Sequence, residues 1–117
     1  LGLSDNLISY NFLTPWIALN QDNYINYKAF SFQERQKLLE KCFKGNIFSM
    51  CHKTNGLDYF VKGELLVELN LKEVSVKFKG NSMIGFKGTF KTNFLIPEFL
   101  GIGKESARGF GVVKGMA

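Results

Sequence analysis

Apolar and polar residues alternate along several short segments of this chain, and a period of two is typical of a β-strand with one buried face. Residues 7–13 show this alternation and predict a first strand, which Thr-Pro at 14–15 ends. We expect the apolar residues 16–19 to extend that strand in a buried position. The polar and aromatic residues 20–27 predict a loop.

A period near 3.6 residues follows and predicts one long helix. Ser31 and Glu34 have the spacing of a capping box at its start. The apolar residues Phe32, Leu38, Leu39, Cys42 and Phe43 fall within one arc of the helical wheel, with Lys37, Lys41 and Lys44 opposite. We expect these lysines to form a solvated face, with contact to nucleic acid as the alternative. Residues 47–50 could continue the helix, and the turn-rich residues 52–56 predict a connector.

Three further strands are predicted after the connector, at 61–71, 74–78 and 86–94, with a Gly-Asn-Ser turn before the third. The pattern predicts that one side of the resulting hairpin is apolar. Its other side would carry four lysines: Lys77, Lys79, Lys87 and Lys91. Residues 97–100 predict a single helical turn, and 109–113 predict a buried last strand.

The order of these elements is close to β-α-β-β-α-β, the ferredoxin-like arrangement. The sequence therefore predicts an α+β, ferredoxin-like (RRM-like) domain with an extra β-hairpin, an abbreviated second helix and a C-terminal glycine-rich loop. A length of 117 residues fits one domain, spanning 1–117.

Two Gly-x-Gly pairs with a basic segment between them make residues 101–115 the most informative stretch. Glycine lets the backbone turn through positive φ and approach another surface closely. Exposed N–H groups and nearby cations then bind phosphate oxygens. The candidate phosphate-binding residues are Gly101, Gly103, Lys104, Arg108, Gly109 and Gly111. Their spacing fits neither a dinucleotide fingerprint, nor a P-loop, nor a kinase loop. A glycine-rich hairpin that only turns a corner is the alternative.

Basic charge is concentrated in the second part of the chain. Residues 1–71 contain seven basic and seven acidic side chains, whereas 72–117 contain eight basic side chains and three acidic ones. Eight of the twelve glycines also lie in 72–117. This combination favours a face that binds a polyanion, with a basic surface that serves solubility as the alternative.

The cysteines and the single histidine restrict the chemistry. Cys42 and Cys51 would lie roughly 13 Å apart on one helix, too far for a disulfide. Reduced thiols and a cytoplasmic protein are therefore expected. One histidine and no C-x-x-C motif make a metal site unexpected. Any imidazole acid or base must be His52, although its place at a loop edge favours a surface histidine. No signal peptide or transmembrane run is evident, so no membrane partner is expected.

Four segments carry a resemblance: FLTPWIALN at 12–20, GNIFS at 45–49, IGFKGTFKTN at 84–93 and IPEFLGIGKESARGFG at 96–111. Together they resemble the C-terminal domain of CRISPR repeat-processing endoribonucleases, which serve antiviral defence. The resemblance covers nearly the whole chain. The glycine motif is typical of the wider repeat-associated superfamily, while Thr-Pro-Trp and Asn-Ile-Phe-Ser are typical of the type I-B branch.

The resemblance implies two tandem ferredoxin-like domains, of which this chain is the second. It also implies metal-independent cleavage of precursor CRISPR RNA within repeats, in which a 2′-hydroxyl attacks the adjacent phosphate. In the family, the acid/base residues lie mainly in the N-terminal domain, so the catalytic residues stay unknown, with His52 the one candidate here. The candidate loop residues would bind and orient RNA, with Lys87 and Lys91 as neighbours. No cofactor is implied.

Two other functions stay open at this point. One is a non-catalytic, RNA-binding backbone subunit of a CRISPR ribonucleoprotein effector, and the other is a domain that binds a small nucleotide. For the endoribonuclease, the expected partner is CRISPR repeat RNA, in precursor and mature form. Other effector subunits and a second copy of the chain, in a homodimer, are the further partners to consider.

Overall fold

The structure is a computed structural model that describes residues 2–53 and 65–116, without the side chains of residues 2, 21 and 51–53. Four strands form one antiparallel sheet in the order β2-β3-β1-β4. The elements are β1 (Gly2–Phe12), α1 (Gln21–Ala29), α2 (Phe32–Lys53), β2 (Val67–Phe78), β3 (Asn81–Leu95) and β4 (Val113–Gly115), with a 3₁₀ turn at Ser106–Arg108. This α+β architecture is compatible with the predicted ferredoxin-like fold.

The core lies between α2 and the inner face of the sheet. Phe86, Phe90 and Phe94 alternate along β3 and are all buried, as their period of two predicts. The Phe43 ring from α2 packs 4.9 Å from the Phe90 ring, centroid to centroid. Phe32 lies on the predicted apolar arc at the first position of α2, but its side chain is 77% exposed, so the buried part of the arc does not reach the start of the helix.

The start of α2 confirms the predicted capping box. The Glu34 carboxylate accepts from the Ser31 amide at 3.0 Å, and the Glu34 amide donates to the Ser31 hydroxyl at 3.3 Å. Hydrogen bonds to the carboxylate, first from the Ser31 amide and then from the Ser31 side chain, hold the pKa of Glu34 below its usual value. At the other end, helical backbone continues through residues 52 and 53, so the predicted connector begins later than expected. Residues 54–64 lie outside the described part of the chain.

Residues 20–27 were predicted to form a loop, but most of them belong to α1. Asn20 caps this helix through a reciprocal pair of hydrogen bonds with Asn23. The motif is Asn-x-x-Asn in place of the commoner Ser/Thr-x-x-Glu, so the usual capping-box pattern does not indicate a helix start here.

The two strands predicted at 61–71 and 74–78 are one strand, at least from Val67 onward. Pairing with β3 runs without interruption through Lys72, opposite Lys87, and Glu73, opposite Phe86. The extra hairpin is therefore absent from the described residues, which contain four strands. Since the alternation is unbroken, Val74 shares a face with Lys87 and not with the buried phenylalanines. The predicted division into an apolar and a lysine-bearing side is wrong for this part of β2.

The C-terminal region also differs from the pattern in detail. Residues 97–100 form a turn and not a helical turn, closed by a 3.3 Å hydrogen bond from the Leu100 amide to the Pro97 carbonyl. The last strand begins at Val113, whereas residues 109–111 turn. Cys42 is a free thiol. Within the described ranges, no helix is both long and apolar enough to cross a membrane.

Candidate functional site

The glycine-rich loop, residues 97–112, is attached from Lys104 onward to residues 13–17, which continue the chain beyond β1. Three main-chain hydrogen bonds join the two segments: Leu13 N–H to Val112 O (2.7 Å), Gly111 N–H to Pro15 O (2.8 Å) and Lys104 N–H to Ile17 O (3.3 Å). The Thr14 hydroxyl adds two more, because it donates to Gly109 O at 2.7 Å and accepts from the Val112 amide at 3.0 Å. The loop is therefore held to residues 13–17 on both sides of its segment 105–108.

Gly103 lies directly against a hydrogen-bonded pair of side chains. The indole N–H of Trp16, which is fully buried, donates to Asn46 Oδ1 on α2 at 2.9 Å. A Cβ at Gly103 would lie 2.7 Å from Trp16 Nε1 and 2.9 Å from Asn46 Oδ1. Three of the sequence segments that carry the resemblance, 12–20, 45–49 and 96–111, thus meet at one point. Sequence analysis did not identify Thr14, Trp16 or Asn46 as residues that position the loop.

Two further glycines are also required by close packing. Gly111 has φ +71°, and a Cβ there would lie 2.0 Å from the Ile102 carbonyl oxygen. A Cβ at Gly101 would lie 2.7 Å from the Ser106 Cβ. By contrast, Gly109 has φ +92° and open space around the absent side chain. Packing alone explains Gly101, Gly103 and Gly111, so their direct contact with RNA stays a prediction.

The tip of the loop, residues 104–108, carries its exposed polar groups. In the described part of the chain, the amides of residues 105–107 donate no hydrogen bond. Lys104 and Arg108 flank these amides and are both exposed. Arg108 Nε lies 3.7 Å from Glu105 Oε2, an ion pair in which both side chains stay well exposed. Cations and unbonded amides together form a surface that suits an anion.

The β2–β3 turn brings another cation to the loop tip. Arg108 lies over the Phe78 ring, with 5.4 Å between the guanidinium carbon and the ring centroid, and Lys79 Nζ lies 5.3 Å from the same centroid. The Phe110 ring meets Phe78 edge to face at 5.6 Å. The sequence predicts Lys79 on the lysine-bearing side of the hairpin. The structure places it beside the glycine-rich loop, which the sequence does not predict.

The two predicted neighbours on β3 are well separated from each other. Lys87 and Lys91 are both exposed on the outer face of the sheet, away from the helices. Lys87 pairs with Lys72 across the strands, while Lys91 pairs with Glu68. Four residues of strand separate the two lysines by about 13 Å. The structure thus does not gather all the candidate cations into one cluster.

Of the groups that could act as an acid or base, the structure describes the side chain of Tyr27 but not that of His52. His52 belongs to the last turn of α2, and its side chain lies outside the described residues. The Tyr27 hydroxyl donates to Glu73, which also lies 3.7 Å from Arg35 Nη1. Burial raises the pKa of Tyr27, and the hydrogen bond and charge of Glu73 raise it further. This cluster joins α1 to α2 and β2, and it keeps the Tyr27 proton in place at neutral pH.

The partly buried thiol of Cys42 is the next group that could take part in chemistry. Burial raises the pKa of its thiol, against the opposing charges of Lys41 and Lys104. Over residues 2–53 and 65–116, no group of three His, Cys, Asp or Glu side chains is placed to hold a metal ion.

The sheet order, the helices on one face and the loop attached beyond β1 define an α+β domain whose architecture is compatible with the ferredoxin-like arrangement. A family model described as the Cas6b C-terminal domain matches residues 2–116, and the chain belongs to this family. The resemblance to the C-terminal domain of CRISPR repeat-processing endoribonucleases is thereby confirmed.

A curated relative and two solved structures are similar to this chain. The uncharacterized protein MJ0978 of Methanocaldococcus jannaschii is 46% identical over 113 residues, which cover 96% of this chain and 75% of that protein. A crystal structure of Cas6b superposes with a TM-score of 0.90 at 44% identity, covering 98% of this chain and 66% of its own. A crystal structure of the CRISPR RNA processing endoribonuclease Cas6b gives a TM-score of 0.89 at 44% identity, covering 98% and 57%. The chain thus spans about three fifths of these solved structures.

The Trp16–Asn46 hydrogen bond gives a first testable prediction. Asn46→Leu would leave a buried indole N–H without an acceptor, so we expect the free energy of unfolding to fall by about 1–3 kcal/mol. Asn46→Asp keeps an acceptor oxygen, so its free energy of unfolding should fall clearly less. Urea denaturation followed by the fluorescence of Trp16, the only tryptophan, measures both variants. Equal losses would show that this hydrogen bond does not hold the loop.

Proposed function

We propose that this chain is the RNA-binding half of an endoribonuclease that cleaves precursor CRISPR RNA within its repeats. The observation that carries the proposal is the loop tip, where two exposed cations flank three amides that donate no hydrogen bond among the described residues. Phosphate oxygens accept from such groups, and each neutralised phosphate releases counterions. A ribose-phosphate strand is therefore the partner that best fits this surface.

The anchoring of the loop supports the same proposal. Five hydrogen bonds tie the loop to residues 13–17, and Gly103 packs on the Trp16–Asn46 pair. A loop that is already ordered loses little conformational freedom when it binds, so more of the contact energy contributes to affinity. Lys79 beside Phe78 and the lysines on the outer face of β3 would extend the basic surface.

We further propose that the acid and base for cleavage lie outside this chain, in an N-terminal ferredoxin-like domain. The reaction would be metal-independent attack of a 2′-hydroxyl on the adjacent phosphate, leaving a cyclic phosphate and a 5′-hydroxyl. Within the described residues, burial raises the pKa of both the Tyr27 hydroxyl and the Cys42 thiol, which keeps both groups protonated at neutral pH. His52 is the only histidine of the chain. This chain would then supply affinity and orientation, and the partner domain would supply proton transfer.

A cleavage assay in EDTA tests this division of labour. We expect the 117-residue chain to bind a CRISPR repeat RNA weakly and to cut it negligibly. The same chain with its natural upstream sequence should cut within the repeat. A substrate with a single 2′-deoxyribose at the cleavage site is the control, and it should stay intact.

Two outcomes would contradict the proposal in different ways. Robust cleavage by the 117-residue chain, abolished by His52→Ala, would place the acid/base group here. Binding without cleavage by the longer protein would favour the non-catalytic backbone subunit.

Gel filtration of the chain with and without RNA would show whether a second copy joins the complex.

A further inference from the structure

A cleft of about 500 Å³ opens beside the loop tip. The phosphate-binding groups of the tip do not by themselves account for it. It lies between the start of α1, the start of β3 and the loop residues Lys104 and Glu105. Ile17 and Met83 contribute apolar surface, while Tyr24 and Ser82 contribute an aromatic ring and hydroxyl groups. This volume is within the range of cavities that bind small organic ligands.

We propose that this cleft takes one unpaired nucleoside of the RNA strand whose phosphates bind the loop tip. The inference rests on the proposed function and adds a base-binding site to it. Lys104 lines the cleft and also belongs to the loop tip, so phosphate and base sites are continuous. Proteins read single-stranded RNA by accepting splayed bases into such sites, with stacking on aromatic side chains.

The polar groups on the cleft are available for a base. Within the described part of the chain, the side chains of Tyr24, Asn81 and Ser82 form no hydrogen bond with protein. The Asn81 side-chain amide offers two hydrogen-bond donors and an acceptor, and the Ser82 hydroxyl can donate or accept a hydrogen bond. Such groups suit the edges of a nucleobase. An apolar partner would leave these groups unpaired.

The aromatic and apolar parts of the cleft complete the match. Tyr24 is partly exposed, and Lys28 Nζ lies over its ring at 5.4 Å from the centroid. Stacking on a tyrosine works for any base, so the cleft would contribute affinity without strict sequence preference. Lys104 lines the cleft and Lys28 lies over the ring of Tyr24, so positive charge is close to where the flanking phosphates of a bound nucleoside would lie.

Photocrosslinking locates the base directly. A CRISPR repeat RNA with 4-thiouridine at single unpaired positions is bound to the 117-residue chain, irradiated and analysed by mass spectrometry. We expect one position to crosslink to a peptide that contains Tyr24 or Met83. Crosslinks only to peptides remote from the cleft, with RNA still bound, would overturn the inference and leave the proposed function standing.

A cleft-filling variant gives a second, independent measurement. Ser82→Trp should weaken RNA binding about tenfold, because the indole occupies the space of the stacked base. The dependence of affinity on salt should not change, since no phosphate contact is lost. Asn26→Trp, on an exposed part of α1 that does not line the cleft, is the matched control and should bind RNA normally. Thermal melting confirms that both variants are folded.

The remaining outcomes separate the inference from the proposed function. Normal affinity of a folded Ser82→Trp variant would overturn the inference alone. Absence of any RNA binding by the parent chain would overturn both. Saturable binding of adenosine monophosphate, unaffected by competing RNA and lost in Ser82→Trp, would assign the cleft to a free nucleotide and contradict an RNA strand as its occupant.

Discussion

Gly111→Ala is expected to lower the free energy of unfolding by at least about 3 kcal/mol, more than any other single substitution in the loop. The new Cβ would lie 2.0 Å from the Ile102 carbonyl oxygen, which is backbone and cannot rotate away. Relief of the clash would break the hydrogen bonds that Gly111 forms with Ile102 and Pro15. The residue also has φ +71°, a conformation that alanine adopts with strain. Urea denaturation followed by tryptophan fluorescence gives the value.

Gly109→Ala is the matched control for this experiment. Its φ of +92° is as unfavourable for alanine, but a Cβ there meets no atom within 4 Å. We therefore expect a loss of only about 1–2 kcal/mol, the cost of the left-handed backbone alone. Similar losses in the two variants would show that backbone conformation, and not close packing against Ile102, requires glycine at 111.

The double variant Lys104→Ala/Arg108→Ala is expected to weaken RNA binding about 10- to 100-fold at low salt, with little change in stability. Both side chains are exposed, and Arg108 forms only a loose ion pair with Glu105. Loss of two phosphate contacts should reduce the slope of log affinity against log salt by about 1.4 for a single strand. Fluorescence anisotropy with labelled repeat RNA at several salt concentrations measures both quantities.

Lys37→Ala/Lys41→Ala removes the same charge from an exposed part of α2 and is the control for net charge. We expect its affinity to change much less, and its salt slope to stay close to that of the parent chain. If this control weakens binding as much as the loop variant, then RNA responds to overall charge or binds along α2. The lysines of α2 would then be the interface that the sequence left as an alternative.

The long helix and the buried third strand follow from local patterns in the sequence. The capping box at Ser31 and the alternating phenylalanines of β3 predicted a helix and a buried strand that the structure confirms. The division of β2 into two strands failed at Glu73, a charged residue on the inner face of the sheet. Its carboxylate is satisfied by Tyr27 and Arg35, which come from two other elements. A pattern of hydrophobic and polar residues does not reveal which distant side chains will form a hydrogen bond or an ion pair with a charged residue.

The candidate site was predicted in part. Glycine spacing and basic residues located the loop, and the structure places Lys104 and Arg108 at its exposed tip. Which glycines pack closely and which stay open depends on residues far away in the sequence. Gly103 packs on Trp16 and Asn46, which are themselves 30 residues apart. The convergence of these segments needs the whole fold.

Amide hydrogen exchange at single-residue resolution tests most directly whether the loop tip binds RNA. In the free chain, the amides of residues 105–107 should exchange rapidly, because they donate no hydrogen bond within the described residues. Saturating CRISPR repeat RNA should slow these amides strongly, while exchange in the middle of α2 stays unchanged. Bound RNA that leaves residues 105–107 as fast as before, and protects another surface, would contradict the account.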